Sequence, residues 1–286
     1  MNTPWKNYLE TMTKELGSEG ATEFIESLMR VSSGSVENAV SFFYHLGTTW
    51  TPIIRLWGEW VLVRASYKTI ALILRDAKPL QEFSASGTWK KMYLNRKNCG
   101  IPDEISGDNA HAYHPLLTKY LDQNECTDGF TFVDSGYYGT IVRELHELGF
   151  KFQPLFFFSK NPHIPGFLNE LGITEKEGEI LNDSLECAFP NVYKRPKDIV
   201  EKNGNISIPL SPTDTLSVLF GKTALHGVRN CIRKPVGNAF KEASKLLALS
   251  EQARTGIFTG VLASSSPEWS GKKDFLESWP SDLSWI

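Results

Sequence analysis

The residues 134 to 140, Asp134-Ser135-Gly136-Tyr137-Tyr138-Gly139-Thr140, group an acid, hydroxyl side chains and two glycines within one short stretch. An aspartate can bind ribose hydroxyls or a magnesium ion, glycines let backbone N–H groups approach an anion, and a threonine at a helix start can hydrogen-bond phosphate. The same residue types also build capped turns that hold no ligand. Arg75-Asp76 is a second candidate: the guanidinium suits bidentate phosphate binding, and the carboxylate can hold a metal or orient the arginine. An internal salt bridge is the alternative there. Arg96-Lys97 adds positive charge, unless it is a solvated pair. His163, in Lys160-Asn161-Pro162-His163, can serve as acid, base or ligand contact. His111 and His114 lie three apart, but no acid or cysteine completes a metal set at recognisable spacing, so they read as surface or edge histidines. Neither a G-x-x-x-x-G-K-[ST] loop nor a G-x-G-x-x-G turn is present, which argues against kinase, ATPase and dinucleotide oxidoreductase chemistry.

Elements must bring these residues together. Ile70-Ala71-Leu72-Ile73-Leu74 is a continuous apolar run of the kind a doubly covered parallel strand needs, and Arg75-Asp76 follows it directly. A short helix is expected from Leu80 to about Ala85, then a second strand at Met92-Tyr93-Leu94, ending in Asn95-Arg96-Lys97. Residues 98 to 108 read as a loop and 109 to 121 as a helix. Phe130-Thr131-Phe132-Val133 reads as a third strand, with Asp134 to Gly139 as the loop after it and Ile141 to Leu148 as a helix. Phe152 to Phe158 gives a fourth strand, ending in Ser159 to His163. This alternation predicts an α/β fold with a mostly parallel sheet flanked by helices, its strand ends gathered at one edge.

Around this core, residues 4 to 46 read as helical, and Pro52 is expected to open a further helix through about Ser66. Residues 164 to 211 are mixed, with a helix over Glu179 to Cys187 and turn signals that include Asn203-Gly204. Residues 212 to 263 read as three helices: Thr213 to Arg233, Val236 to Leu249 and Glu251 to Leu262. The expected organisation is a helical cap over 1–50, an α/β core over 51–165 and a helical C-terminal part over 166–286.

With 30 basic against 33 acidic residues the formal charge is -3, so a nucleic acid is not the expected partner and a small charged ligand fits better. Cys99, Cys126, Cys187 and Cys231 are scattered singly, which suits reduced thiols rather than a disulfide scaffold or a structural metal. No signal peptide and no membrane span is read, so the expected location is the cytoplasm. Association into a homo-oligomer stays open.

The series of strand ends, Leu74-Arg75-Asp76-Ala77, Asn95-Arg96-Lys97 and Val133-Asp134-Ser135-Gly136-Tyr137-Tyr138-Gly139-Thr140, resembles the type I phosphoribosyltransferase fold. The resemblance implies that Arg75, Asp76 and Ala77 form a pyrophosphate loop, and that Asp134 with Ser135, Gly136, Gly139 and Thr140 forms a phosphoribose loop. Arg96 or Lys97 would then be a further phosphate contact. It implies a small phosphorylated ligand, magnesium held by Asp134 and Asp76, and transfer of ribosyl phosphate to an acceptor with Arg75, Asp76 and Asp134 in the catalytic roles. Tyr137, Tyr138 and His163 join the expected ligand-binding set. In that family the acidic loop normally has two adjacent acids, and Ser135 stands in place of the second. Residues 46 to 165 are also similar to a module of large bacterial proteins labelled HAD-like and associated with surface glycans. A HAD phosphatase carries a second aspartate two residues after its nucleophile, and Gly136 occupies that place here. Two further functions therefore stand beside transfer: a non-catalytic nucleotide or sugar-phosphate binding module, and a HAD-like phosphohydrolase.

Overall fold

The computed structural model describes residues 36–74, 77–83, 89–95, 99, 114–189, 191–193, 199–213 and 215–255. Arg75, Asp76, Arg96, Lys97 and His111 lie outside the described residues, as do the expected helices before residue 36 and the chain after 255.

Four strands form one sheet: β1 (Ile70–Ile73), β2 (Trp89–Met92), β3 (Phe130–Tyr137) and β4 (Phe152–Ser159). They lie in the order β2-β1-β3-β4, and every pairing is parallel. Between the strands run α2 (His114–Gln123) and α3 (Thr140–Glu147), and α1 (Val36–Arg64) precedes them. The expected α/β class is thus the observed one. Alternate residues of the strands face opposite ways. Ala71, Ile73, Phe130, Phe132, Phe152 and Phe156 share a core with Leu117, Tyr120 and Leu121 of α2 and with Val142 and Leu145 of α3. On the other face Phe157 meets Trp57 of α1, ring centroids 5.0 Å apart, and Phe167 of the short α4 (Phe167–Glu170) at 6.0 Å. All three of these rings are withdrawn from water, and burying one such ring contributes about 1.5–3 kcal/mol.

The chain divides into two compact units: Met1–Ile53, Asp183–Val192 and Pro212–Ile286 form one, and Ile54–Asn182 with Tyr193–Ser211 form the other. The sheet belongs to the second. There α5 (Glu175–Ala188) begins with a capping box: the Thr174 N–H and hydroxyl both donate to Glu177 Oε2, at 2.9 and 2.6 Å, which holds that carboxyl below its ordinary pKa. The hairpin β5 (Val200–Lys202) and β6 (Asn205–Ser207) turns through Asn203 and Gly204, both at positive φ, as Asn-Gly hairpins require. In the first unit α6 (Thr215–Cys231) crosses the early part of α1 at two glycines. A methyl group on Gly47 would lie 1.9 Å from the Ala224 carbonyl oxygen, and one on Gly227 would lie 2.2 Å from that of Tyr44. That close approach lets Phe43 and Phe220 stack with centroids 4.4 Å apart. Among the described residues no helix is long and apolar enough to cross a membrane.

Several boundaries differ from expectation. Pro52 does not open a helix but lies inside α1. Proline in a helix interior costs about 3 kcal/mol, and the fully buried Trp50, Ile53, Ile54, Trp57 and Val61 on either side of it offset that cost. The second strand starts earlier, at Trp89, because Lys90 and Lys91 interrupt the apolar pattern of an edge strand whose Trp89 and Met92 are buried. The short helix expected from Leu80 is a 3-10 turn that begins two residues earlier, Lys78–Glu82. The break expected near Leu249 is absent, for α7 (Ala239–Thr255) runs through it.

The largest departure concerns β3, which continues through Asp134, Ser135, Gly136 and Tyr137. These residues were expected to form a loop. They remain extended because β4 keeps pairing with them: Asp134 registers with Phe156, Gly136 with Phe158, and Tyr137 with Ser159. Gly136 makes the pairing possible, since its φ is +123° and a methyl group there would lie 1.8 Å from the Phe158 carbonyl oxygen. Gly136→Ala should therefore cost at least about 2 kcal/mol more than Gly149→Ala. Gly149 has a comparable φ of +82° but nothing within 4 Å of an added methyl group. Urea unfolding midpoints of the two variants check this, and equal losses would contradict it.

Candidate functional site

Because the strands are parallel, their carboxyl ends lie along one edge of the sheet. Chain order reverses there: β1 leads outward to β2, and the chain returns to place β3 on the other side of β1. The β1–β3 ladder ends at Leu72 and Val133, whereas the β3–β4 ladder runs on to Tyr137 and Ser159. Past Val133, β3 keeps a paired neighbour in β4 and has left the β1 ladder. In open α/β sheets the point where strand order reverses is where ligands bind.

Asp134 is half-buried on this overhang, and its Oδ1 accepts the Ser135 N–H at 2.8 Å. By strand alternation Asp134 falls on the same face as Phe132, the face that carries α2 and α3, and Ser135 falls on the opposite face. Ser135 is 1% exposed. Tyr137 has φ +116°, a conformation that is strained for any residue with a side chain. Its ring is held edge-on by Phe158 at 6.0 Å, and its hydroxyl donates to the Glu179 carbonyl at 3.4 Å. Tyr138 is 67% exposed. Gly139, left-handed at φ +73°, then caps α3 with no side-chain hydrogen bond. The first-turn amides of a helix have no acceptor inside it, so Thr140, Ile141 and Val142 present donors at the positive end of the α3 dipole. One flank of this terminus is covered: a methyl group on Gly139 would lie 2.5 Å from Ile164 Cδ1.

The end of β4 is fixed by a side chain. The Asn169 amide accepts the Ser159 N–H at 2.9 Å and donates to the Ser159 carbonyl at 2.9 Å, taking the place of a neighbouring strand. Gly166 leaves room for it, since a methyl group there would lie 2.0 Å from Asn169 Oδ1. The loop from Ser159 to Gly166 walls a cavity of about 400 Å³, closed by Asn169, Glu170 and Glu175. Glu170 is engaged from outside by Trp60 Nε1 at 2.9 Å and Arg64 Nη2 at 2.7 Å. His163 is exposed; its backbone N–H donates to Asn161 Oδ1, and it does not line the cavity.

From sequence Lys160 is only part of a strand end, without a role of its own, yet among the described residues it is a cation that stands beside the β3 overhang. Its backbone N–H donates to the Tyr137 carbonyl at 3.0 Å. Its ammonium lies 5.4 and 5.2 Å from the ring centroids of Tyr137 and Tyr138, and 3.4 Å from the Tyr138 hydroxyl. It forms an ion pair with Glu179 and stands 3.9 Å from Glu175. The hydrogen bond with Glu179 raises the Lys160 pKa above its ordinary value, and the Tyr138 hydroxyl adds to the rise. The sequence signal was there: Lys160 follows the apolar run of β4 much as Arg75 follows that of β1.

At the β2 end, burial, followed by the neighbouring Tyr193 and Tyr120, pushes the Tyr93 hydroxyl up to about 12. It is therefore a neutral phenol near pH 7. Burial likewise pushes Cys126 up to about 12 and raises Cys99 as well, so these free thiols are poor nucleophiles. Among the described residues no group of three or more His, Cys, Asp or Glu side chains converges as a metal site. The fold and edge define an α/β protein with a doubly wound parallel sheet. No family model matches the chain, and no curated protein matches it.

Asn169→Ala should free the β4 terminus. We expect faster hydrogen exchange at the Ser159 amide by about tenfold or more and a stability loss of about 1–2 kcal/mol. Unchanged protection of that amide would show that the Asn169 clamp does not hold the loop.

Proposed function

We propose that the carboxyl edge of the sheet binds a small phosphorylated ligand, a ribose phosphate bearing pyrophosphate, and that the chain is a phosphoribosyltransferase-like enzyme. One observation carries this reading: α3 starts with no side-chain cap directly beyond the β3 overhang, at the sheet edge where strand order reverses. The phosphate of the ligand would accept hydrogen bonds from the first-turn amides of α3. Asp134 would hold the ribose hydroxyls. Arg75 and Asp76, together with Arg96 or Lys97, would receive the pyrophosphate. An acceptor then attacks the anomeric carbon, the bond from that carbon to the pyrophosphate oxygen breaks, and the bonding pair leaves with the pyrophosphate.

Magnesium usually takes one or two protein carboxylates and completes its shell with ligand phosphates and water. Asp134, a single half-buried carboxylate, fits that mode, with Asp76 as the expected second ligand. When bound, the ion would neutralise charge on the pyrophosphate. The cytoplasm is the proposed location, where the thiols of Cys99 and Cys126 stay reduced, and a homo-oligomer is compatible with this activity.

A second reading is favoured by Ser135. It stands where the family carries its second acid, and it is 1% exposed within the strand. That suits a module that binds a nucleotide or sugar phosphate and regulates a partner without transferring anything.

Incubation with phosphoribosyl pyrophosphate, magnesium and a panel of amine and nitrogen-ring acceptors should release pyrophosphate, and calorimetry should register binding. Asp134→Asn should lower turnover at least about a hundredfold. Binding without release in the wild type would select the regulatory module, and absence of both binding and release would overturn both readings.

A further inference from the structure

We propose that Lys160 is a phosphate-recognising cation of this edge and that Glu179 is its resident counter-ion, displaced when a phosphorylated ligand arrives. The inference rests on the phosphate reading above. The Lys160 side chain is 16% exposed, and an anionic partner stabilises its ammonium there. Glu179 is that partner in the structure described, and its own side chain is 37% exposed. A displaced Glu179 carboxylate can therefore return to water at little cost. The lysine is differently placed, because its ammonium stays over the Tyr137 and Tyr138 rings whichever anion it meets.

The geometry leaves room for the exchange. An ammonium has three donors. Glu179 and the Tyr138 hydroxyl take two, while Glu175, at 3.9 Å, is beyond hydrogen-bond reach. Lys160 also lines the cavity at the end of β4, so a ligand oxygen can approach the remaining proton from that side. Four groups face the ammonium, namely Glu179, Glu175 and the two tyrosines, and Glu170 in the same cavity wall is already matched by Arg64. Two carboxylates against one lysine set a threshold. A phosphate dianion outcompetes Glu179 for the ammonium, and an uncharged sugar does not.

The test measures ribose 5-phosphate and ribose by calorimetry on the full chain, with thermal melts in parallel. Glu179→Gln should tighten ribose 5-phosphate binding by about threefold or more, a gain that mere structural damage would not produce. Lys160→Met should weaken it by about tenfold or more, and Lys160→Arg, which keeps the charge, should stay within about threefold of the wild type. Ribose should bind no variant measurably. If the wild type binds ribose 5-phosphate but Glu179→Gln leaves its affinity unchanged or lower, or Lys160→Met binds it equally well, the counter-ion role is overturned and the phosphate reading stands. If the wild type binds no ribose 5-phosphate, both fall.

Discussion

The close approach of Gly136 to Phe158 is the constraint on which the carboxyl edge depends. A side chain at that position would strike the Phe158 carbonyl, so only glycine lets β3 stay paired to β4 after β1 has ended. Three consequences follow from that pairing. Asp134 is carried past the end of the β1–β3 ladder. Tyr137 is forced to φ +116°. The chain then has only Tyr138 and Gly139 in which to turn into α3, so the helix starts at the sheet edge itself. A tyrosine at positive φ costs about 1–3 kcal/mol, and the fully buried run of Phe156, Phe157 and Phe158 beside it holds the arrangement.

Side-chain amides play a second, recurring part by standing in for strands. Asn169 closes both backbone groups of Ser159, and Gln123 does the same for Ile206, accepting its N–H at 2.9 Å and donating to its carbonyl at 3.1 Å. Gln153 ties the end of α1 to β4, accepting from the Ser66 N–H and donating to the Arg64 carbonyl. Asn169 and Gln123 satisfy backbone groups that a short sheet leaves unpaired at its margins, and Gln153 does so for the end of a helix. β4 is an edge strand, which is also why Pro154 is tolerated within it.

Much of the fold was legible because buried parallel strands are continuous apolar runs. Ile70 to Ile73 and Leu155 to Phe158 could hardly be read otherwise, and the alternation of such runs with helical spacing gave the class. What was hidden was set by partners distant in sequence. Asp134 to Tyr137 look like a turn, and only the register with β4 makes them a strand. Lys90 and Lys91 break the apolar pattern, and only the burial of Trp89 and Met92 on either side of them marks the strand. Pro52 looks like a helix start, and the buried residues flanking it decide otherwise. At the site, the Asp-Ser-Gly-Tyr-Tyr-Gly-Thr stretch drew attention through its composition, but Lys160 gains meaning only from Glu179, which is on a helix with no chemical signature of its own.

The central claim is that a phosphorylated ligand is held where β3 runs into α3. Amide NMR titration of the full chain with ribose 5-phosphate tests it most directly. The account expects the largest shifts at Gly139, Thr140, Ile141 and Val142, accompanied by Lys160. Shifts confined to other parts of the sheet, or none at all at saturating ligand, would contradict it.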